Sequence, residues 1–516
     1  MTDCSTCAPD RGALTDVPTS ELLARFDDLQ REVFSYQYAQ QVISYDGETV
    51  GPAKGVDARS EAIGTLAGKE HETAFGPEAC ALVAELAARS AELDELHAAE
   101  LRVYRRDVDE MGRIPAAECA AFSKLTTEAV AVWKRAKAAS DYALFEPYVE
   151  RIVDSLKRQA AYLDPNRDPY DVWLDQYERG MDRASVEAFF AQVQAGVVPL
   201  VEAIQAKGAQ PDDSFLHRPV PLEQQRELCR RIATMMGLDA DALSMGETEH
   251  PFTDGFSHGD VRIANHFYED NVTSAVFSMI HEGGHALYEQ GINPAYDYTC
   301  LRGGVSMGVH ESQSRFMENV VARSEAFCAA LLPVMRECCP GTFDDVDAHA
   351  LYQAVCRSEC SLIRTEADEL TYPLHILVRF EVEKALFDGT CTAHDAPALW
   401  NELMKRYLGV DVPDDAHGIL QDTHWAGGSF AYFPSYAIGS AYAAQLMDVM
   451  RGEVDVEAAE AAGDLRPINA WLRERIWRHG SAKDPAELIS AACGAPFDAS
   501  HYVDYLVGKY RAVYGL

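Results

Sequence analysis

The run Met279-Ile280-His281-Glu282-Gly283-Gly284-His285-Ala286-Leu287-Tyr288 carries two histidines four residues apart, with a glutamate directly after the first. On a helix this spacing stacks both imidazoles on one face, one turn apart, where they can share a single metal ion. Glu282 falls on an adjacent part of the same surface, where a carboxylate can take a proton from metal-activated water without ligating the ion. The implied chemistry is metal-assisted hydrolysis with Glu282 as general base; the competing reading is a polar turn of a surface helix. A catalytic zinc takes three protein ligands and keeps one position open. His310-Glu311-Ser312-Gln313-Ser314 opens a second helical pattern through Phe316, Val320 and Val321, so Glu311 is the expected third ligand. Its competing role is a carboxylate stabilised at a helix N-terminus. Glu318 serves as the comparison acid, a neighbour with no ligand role.

The two segments must be brought together. Residues 291–308, rich in Gly, Pro, Asn and Tyr, can reverse the chain between two antiparallel helices. Gly283 and Gly284 each cost about 1 kcal/mol relative to Ala in a helix interior, so something must approach that backbone closely. The expectation is that the substrate passes there. Elsewhere helical periodicity dominates. Leu22, Leu23, Phe26, Leu29, Val33 and Tyr36 mark an amphipathic helix that Thr19 or Ser20 can cap. Further helical patterns cover 79–111, 115–141, 144–163, 184–207 and 221–237. The exception is 250–267, where Val261-Arg262-Ile263-Ala264 reads as a strand. The class is mainly α with a small sheet beside the site.

A chain of 516 residues exceeds the usual single core, yet no low-complexity linker divides it. Residues 1–17 read as a disordered tail and 18–516 as one catalytic domain with helical subdomains. A net charge of −37 repels phosphate backbones and anionic lipids, which argues against nucleic-acid and membrane partners. No run of apolar residues is seen that suits a membrane span; the Ala-rich stretch 79–101 is broken by charges. Thirteen cysteines, an odd number, fit a reduced cytoplasmic protein. Cys4 and Cys7 stand in the polar tail, and Cys356 and Cys360 read as buried thiols one helical turn apart. The histidines at 71, 97, 217 and 501 show no ligand spacing.

The ordered set of motifs resembles the carboxypeptidase Taq family of metallocarboxypeptidases. Beside HEGGH and HESQS it includes His250-Pro251-Phe252, Asp260-Val261-Arg262, the run Ile363-Arg364-Thr365-Glu366-Ala367-Asp368, the segment from Gly418 through Gln421, Asp422, His424 and Trp425, and Tyr436-Ala437-Ile438-Gly439. Ala264 stands where that family usually has Thr. The resemblance implies a helical fold with a deep groove, like that of neurolysin-type oligopeptidases, and a homodimer. It also implies metal-dependent release of single C-terminal residues with broad specificity.

Such an activity needs a cation for the substrate's free carboxylate, and a guanidinium binds one through two parallel charge-assisted hydrogen bonds. Arg364 and Arg262 are the candidates; the competing readings are an exposed charge on a helix with Ile363, Ala367, Leu370 and Leu374, and an ordinary edge-strand Arg. His424 and Tyr436 flank an aromatic, Gly-rich loop and can donate to the oxyanion, with Tyr432 as the fallback. The expected enzyme is a zinc metallocarboxypeptidase, one Zn(2+) per subunit with Co(2+) or Mn(2+) as possible substitutes, acting on peptides with a free C-terminus. Two alternatives stand beside it: an endo-oligopeptidase using the same zinc site, and a non-catalytic helical interaction protein with a structural metal site. Glu282 disfavours the latter, because a structural site requires no base.

Overall fold

The computed structural model describes residues 14–516. Cys4, Cys7 and most of the expected tail lie outside the described residues. From Leu14 onward the chain is tied down, with the carbonyls of Leu14, Thr15 and Val17 accepting hydrogen bonds from the Arg89 guanidinium. Helix accounts for 68% of the structure, so the class is mainly α as periodicity predicts. A main hydrophobic cluster runs from Leu125 to Tyr514, while Leu22, Phe26, Leu82, Val83, Leu86, Leu101 and Tyr104 form a smaller one among the N-terminal helices.

The expected helix over 79–111 is two, Pro77–Ala88 and Glu95–Arg113. Asp94 breaks it by capping the second: its carboxylate accepts from the His97 N–H, an Asx signal present in the sequence. Thr19 does not cap the first long helix, Thr19–Thr49; Pro18 precedes it and the Thr19 hydroxyl donates to Glu92 instead. Cys356 and Cys360 do not share a helix, because Ala348–Val355 ends before them; both are free thiols. The Arg183–Lys207 helix is long and apolar enough by composition to cross a membrane, contrary to expectation. Its Val186, Phe189, Phe190, Val193, Val197 and Leu200 instead pack into the main cluster.

Three strands form one sheet: β1 (Leu243–Glu247), β2 (Phe252–Ser257) and β3 (Asp260–Asn265), in the order β1-β3-β2. β3 pairs parallel with β1 and antiparallel with β2, placing Thr253 opposite Ile263 and Asp254 opposite Arg262. Alternation along the strands therefore divides the sheet. Thr253 and Gly255 turn to the helix that carries HEGGH, whereas Arg262 turns to the Thr19–Thr49 helix, where its guanidinium lies 5.3 Å from the Tyr45 ring.

Candidate metal centre

The HEGGH motif lies inside the Val272–Gly291 helix, capped by the Asn271 side chain. The chain then reverses through a short Pro294–Tyr296 turn into the Met307–Arg315 helix, capped by Ser306 and carrying Glu311. This is the antiparallel return that the loop composition predicts. Gly283 and Gly284 do not open a path for substrate; they admit neighbouring protein. A Cβ on Gly284 would lie 2.5 Å from the Gln313 carbonyl oxygen and 2.7 Å from Ser314 Cα, and one on Gly283 would strike the Met236 side chain at 2.7 Å. Gly439, on the Pro434–Met450 helix, closes the third side: its Cβ would fall 2.9 Å from Glu311 Cβ. These glycines let three helices meet at backbone distance, which is how His285 and Glu311 come within reach of one ion.

His281 Nε2 lies 3.7 Å and His285 Nε2 3.6 Å from Glu311 Oε2. These separations are too long for good hydrogen bonds. They approach the spacing of about 3.4 Å set by two ligands bound tetrahedrally at zinc–ligand distances. The three donor atoms all lie within 4.8 Å of one another, so the residues present fit a divalent cation. The protonation states of His285 and Glu311 fit as well. Burial drives His285 down to about 4, keeping it neutral. Burial would raise Glu311, but Arg315 leads the groups that hold its carboxyl well below the usual range. Arg315 Nε donates to Glu311 Oε1 at 2.7 Å, so Oε2, which the Ser314 hydroxyl reaches at 3.2 Å, is the oxygen that faces both histidines.

Glu318 is not the bystander expected of it. A π turn, Phe316–Val321, carries it back to the centre, where its Oε2 accepts from His281 Nδ1 at 2.9 Å. That bond fixes the ring and reserves Nε2 for metal, as supporting carboxylates do around bound ions. Arg315 and Arg323 in turn hold Glu318 at 3.2 and 3.1 Å. Glu282 is buried, which raises its pKa; the Thr253 hydroxyl, donating to its Oε2 at 2.7 Å, opposes that shift. Thr253 sits beside the HPF motif, and only the packing of β2 on the helix brings its hydroxyl to Glu282.

Tyr436 opens the Pro434–Met450 helix one turn before Gly439, and its hydroxyl lies 3.2 Å from His424 Nε2. Burial lowers His424 to about 4, so the ring is neutral, and its Nδ1 is buried with no hydrogen-bond partner. A buried unpaired N–H is the costlier orphan, which places the proton on Nε2, donating to the Tyr436 oxygen. The Tyr436 O–H then points away from His424 toward Tyr432, with which it shares a hydrogen bond. Glu383 organises this loop from beneath, accepting from Trp425 Nε1 at 2.6 Å, Tyr170 OH at 2.8 Å and the N–H of Ala431 at 3.0 Å, a residue held at φ +64°.

Arg364 is not the exposed helical charge of the competing reading. It lies buried in the single turn Arg364–Glu366, with Nε and Nη2 donating to Asp422 Oδ1 and Nη1 to Tyr372 OH at 3.0 Å. Three of its five N–H groups are thus committed and two remain. The Tyr372 ring also carries the Arg315 guanidinium at 4.4 Å, so one ring joins Arg364 to the ligand shell. Arg262 stands apart from that shell. Its Nε and Nη2 are both spent on Asp260 at 2.9 Å, its guanidinium rests 4.4 Å from the Phe256 ring, and among the described residues it shares no hydrogen bond or ring contact with the histidines, Glu282 or Glu311.

The geometry has close counterparts. A profile of the carboxypeptidase Taq (M32) metallopeptidase family matches residues 25–510. Carboxypeptidase 1 of Bacillus subtilis is 38% identical, over 95% of this chain and 98% of its own. Thermostable carboxypeptidase 1 of Thermus thermophilus is 36% identical, with the same coverage. Among solved structures, an M32 carboxypeptidase from Deinococcus radiodurans superposes with a TM-score of 0.93 at 35% identity, covering 96% of this chain and all of that one. Trypanosoma cruzi metallocarboxypeptidase 1 gives 0.91 at 33% identity, covering 95% and 99%. The chain belongs to the carboxypeptidase Taq (M32) family of metallopeptidases.

Proposed function

We propose that this carboxypeptidase uses one zinc ion, held by His281, His285 and Glu311, to release single C-terminal residues of broad specificity from peptides. Two imidazoles and one carboxylate are a donor set suited to zinc, and the carrying observation is their convergence with a buried Glu282 beside them. When bound, the ion supplies Lewis acidity for water and for the scissile carbonyl. Glu282, held by Thr253, takes the proton from the attacking water and passes it to the leaving amine. Tyr436, whose oxygen is engaged by His424, donates its O–H to the developing oxyanion. Arg364 receives the substrate carboxylate through its two uncommitted N–H groups, with Asp422 and Tyr372 fixing the guanidinium plane. Arg262 instead ties the sheet to the first long helix.

The endopeptidase alternative needs no carboxylate clamp, so a buried, oriented Arg364 favours exopeptidase action. The test is metal analysis of purified protein with hydrolysis of an N-blocked dipeptide before and after chelation. Stoichiometric metal and chelator-sensitive release of the terminal residue support the reading; full turnover without metal refutes it. We further propose a cytoplasmic homodimer built from one catalytic domain. The free thiols suit a reducing compartment, and the dimer rests on the family resemblance alone.

A further inference from the structure

We infer that His310 and Glu289 form a dedicated relay that sets the orientation and tautomer of His285, which makes both of them positioning residues of the metal centre. The inference rests on the reading of His281, His285 and Glu311 as that centre. The two histidines of HEGGH are supported differently. His281 Nδ1 meets a carboxylate directly, Glu318 Oε2 at 2.9 Å. His285 Nδ1 instead meets another imidazole, His310 Nδ1 at 2.6 Å, and His310 Nε2 meets Glu289 Oε1 at 2.7 Å.

Only one placement of protons satisfies this chain when His285 Nε2 donates its lone pair to metal. His285 then carries its proton on Nδ1, so His310 Nδ1 must accept. A neutral His310 consequently bears its proton on Nε2 and donates it to Glu289. Each ring stays neutral, and the one full charge rests on a carboxylate at the far end. Glu289 follows His285 by one turn of the same helix, whereas His310 immediately precedes Glu311 on the next. The relay therefore locks together the two helices that supply all three ligands.

Two glycines show that the space was made for it. A Cβ on Gly304 would lie 2.6 Å from His310 Cδ2 and 2.8 Å from Tyr288 Cε1; one on Gly255, in β2, would lie 2.4 Å from Glu289 Oε2. Neither glycine adopts a left-handed conformation, so backbone freedom is not what selects them. What they supply is room, one for the ring and one for the carboxylate. Neither His310 nor Glu289 has another assignment in the proposed chemistry.

The experiment measures how fast zinc-loaded full-length enzyme loses metal to excess chelator, alongside far-UV circular dichroism and the melting temperature. His310→Leu and Gly304→Ala should each speed metal loss by about 10- to 100-fold, the range for removing such support from a ligating histidine. His310→Asn, whose amide oxygen can still accept from His285, should recover part of that loss, and Glu289→Gln should fall between it and wild type. In protein with 15N-labelled histidine, the His285 Nδ1 proton should be observable in the wild type and in Glu289→Gln but lost to solvent exchange in His310→Leu. Wild-type rates of metal loss in folded His310→Leu or Gly304→Ala protein would overturn the relay while leaving the metal centre standing. Should wild-type protein hold no metal through His281, His285 and Glu311, both would fall. If His310→Leu fails to fold, Gly304→Ala and Glu289→Gln still decide the matter.

Discussion

Gly439→Ala adds one methyl group and removes no polar atom, yet it should disable the centre. The new Cβ would sit 2.8 Å from the Gly308 carbonyl oxygen, 2.9 Å from Glu311 Cβ and 3.0 Å from Glu311 Cγ, where ordinary contacts begin at 3.4 Å. Glu311 must therefore retreat by about half an ångström, more than the ~0.2 Å by which metal–ligand distances vary. Local overpacking of this kind costs about 1–3 kcal/mol. Taken from metal binding, that cost corresponds to a Kd raised by roughly 5- to 150-fold. A chelator competition titration reads it, with thermal melts in parallel. Gly196→Ala is the control, because its Cβ would clash with Val503 Cγ1 at 2.3 Å in packing away from the ligands. It should lower the melting temperature and leave the metal Kd unchanged. Wild-type metal affinity in Gly439→Ala, or equal losses in the two variants, would refute the claim that this glycine sets the position of Glu311.

Four further outcomes are expected. Glu282→Gln should keep its metal and fold while turnover falls at least about a hundredfold; near-normal turnover removes Glu282 as base. Glu311→Ala should lose tightly held metal, and Glu318→Gln should weaken it by about 10- to 100-fold rather than behave as an inert control; an unaltered Kd in Glu318→Gln would mean its bond to His281 is incidental. Arg364→Ala should lower kcat/KM by about 2–4 kcal/mol equivalent for free-acid peptides and add little to the already poor hydrolysis of their amides, while Arg262→Ala should treat both substrates alike; equal losses on acid and amide in Arg364→Ala would remove the clamp. Burial raises Glu460 from 4.5 to about 7, and one of its oxygens has no partner. Its folded pKa lies above its unfolded one, so stability is lost as pH rises from 4.5 through about 7, and Glu460→Gln should flatten the melting-temperature profile across that window; an unchanged slope contradicts the assignment.

The convergence of His281 and His285 was legible because helical spacing is a local property: two imidazoles four residues apart share a face whatever surrounds them. The loop after Gly291 likewise announces a return by its composition. What resisted reading depends on packing. Gly283 and Gly284 do signal close approach, but a sequence does not say what approaches, and the answer is the Met236 side chain for one and the Gln313–Ser314 backbone for the other. Glu318 looked like a spare acid because a π turn, not α periodicity, returns it to His281. The two arginines are equal as residue types; alternation along β3 puts one on the same face as Asp260, which takes it, while Asp422 and Tyr372 hold the other beside the Glu311 cluster. The Arg183–Lys207 helix shows the limit of composition, since the same apolar face serves a core or a bilayer.

The most direct test of the account follows a defined peptide by mass spectrometry over time with zinc-loaded enzyme. Residues should leave one at a time from the C-terminus, release should stop on chelation and resume with stoichiometric zinc, and amidating the terminus should nearly abolish it. Cleavage at internal bonds, or an amide cut as readily as the free acid, would contradict a carboxylate-reading metallocarboxypeptidase and favour the endopeptidase alternative.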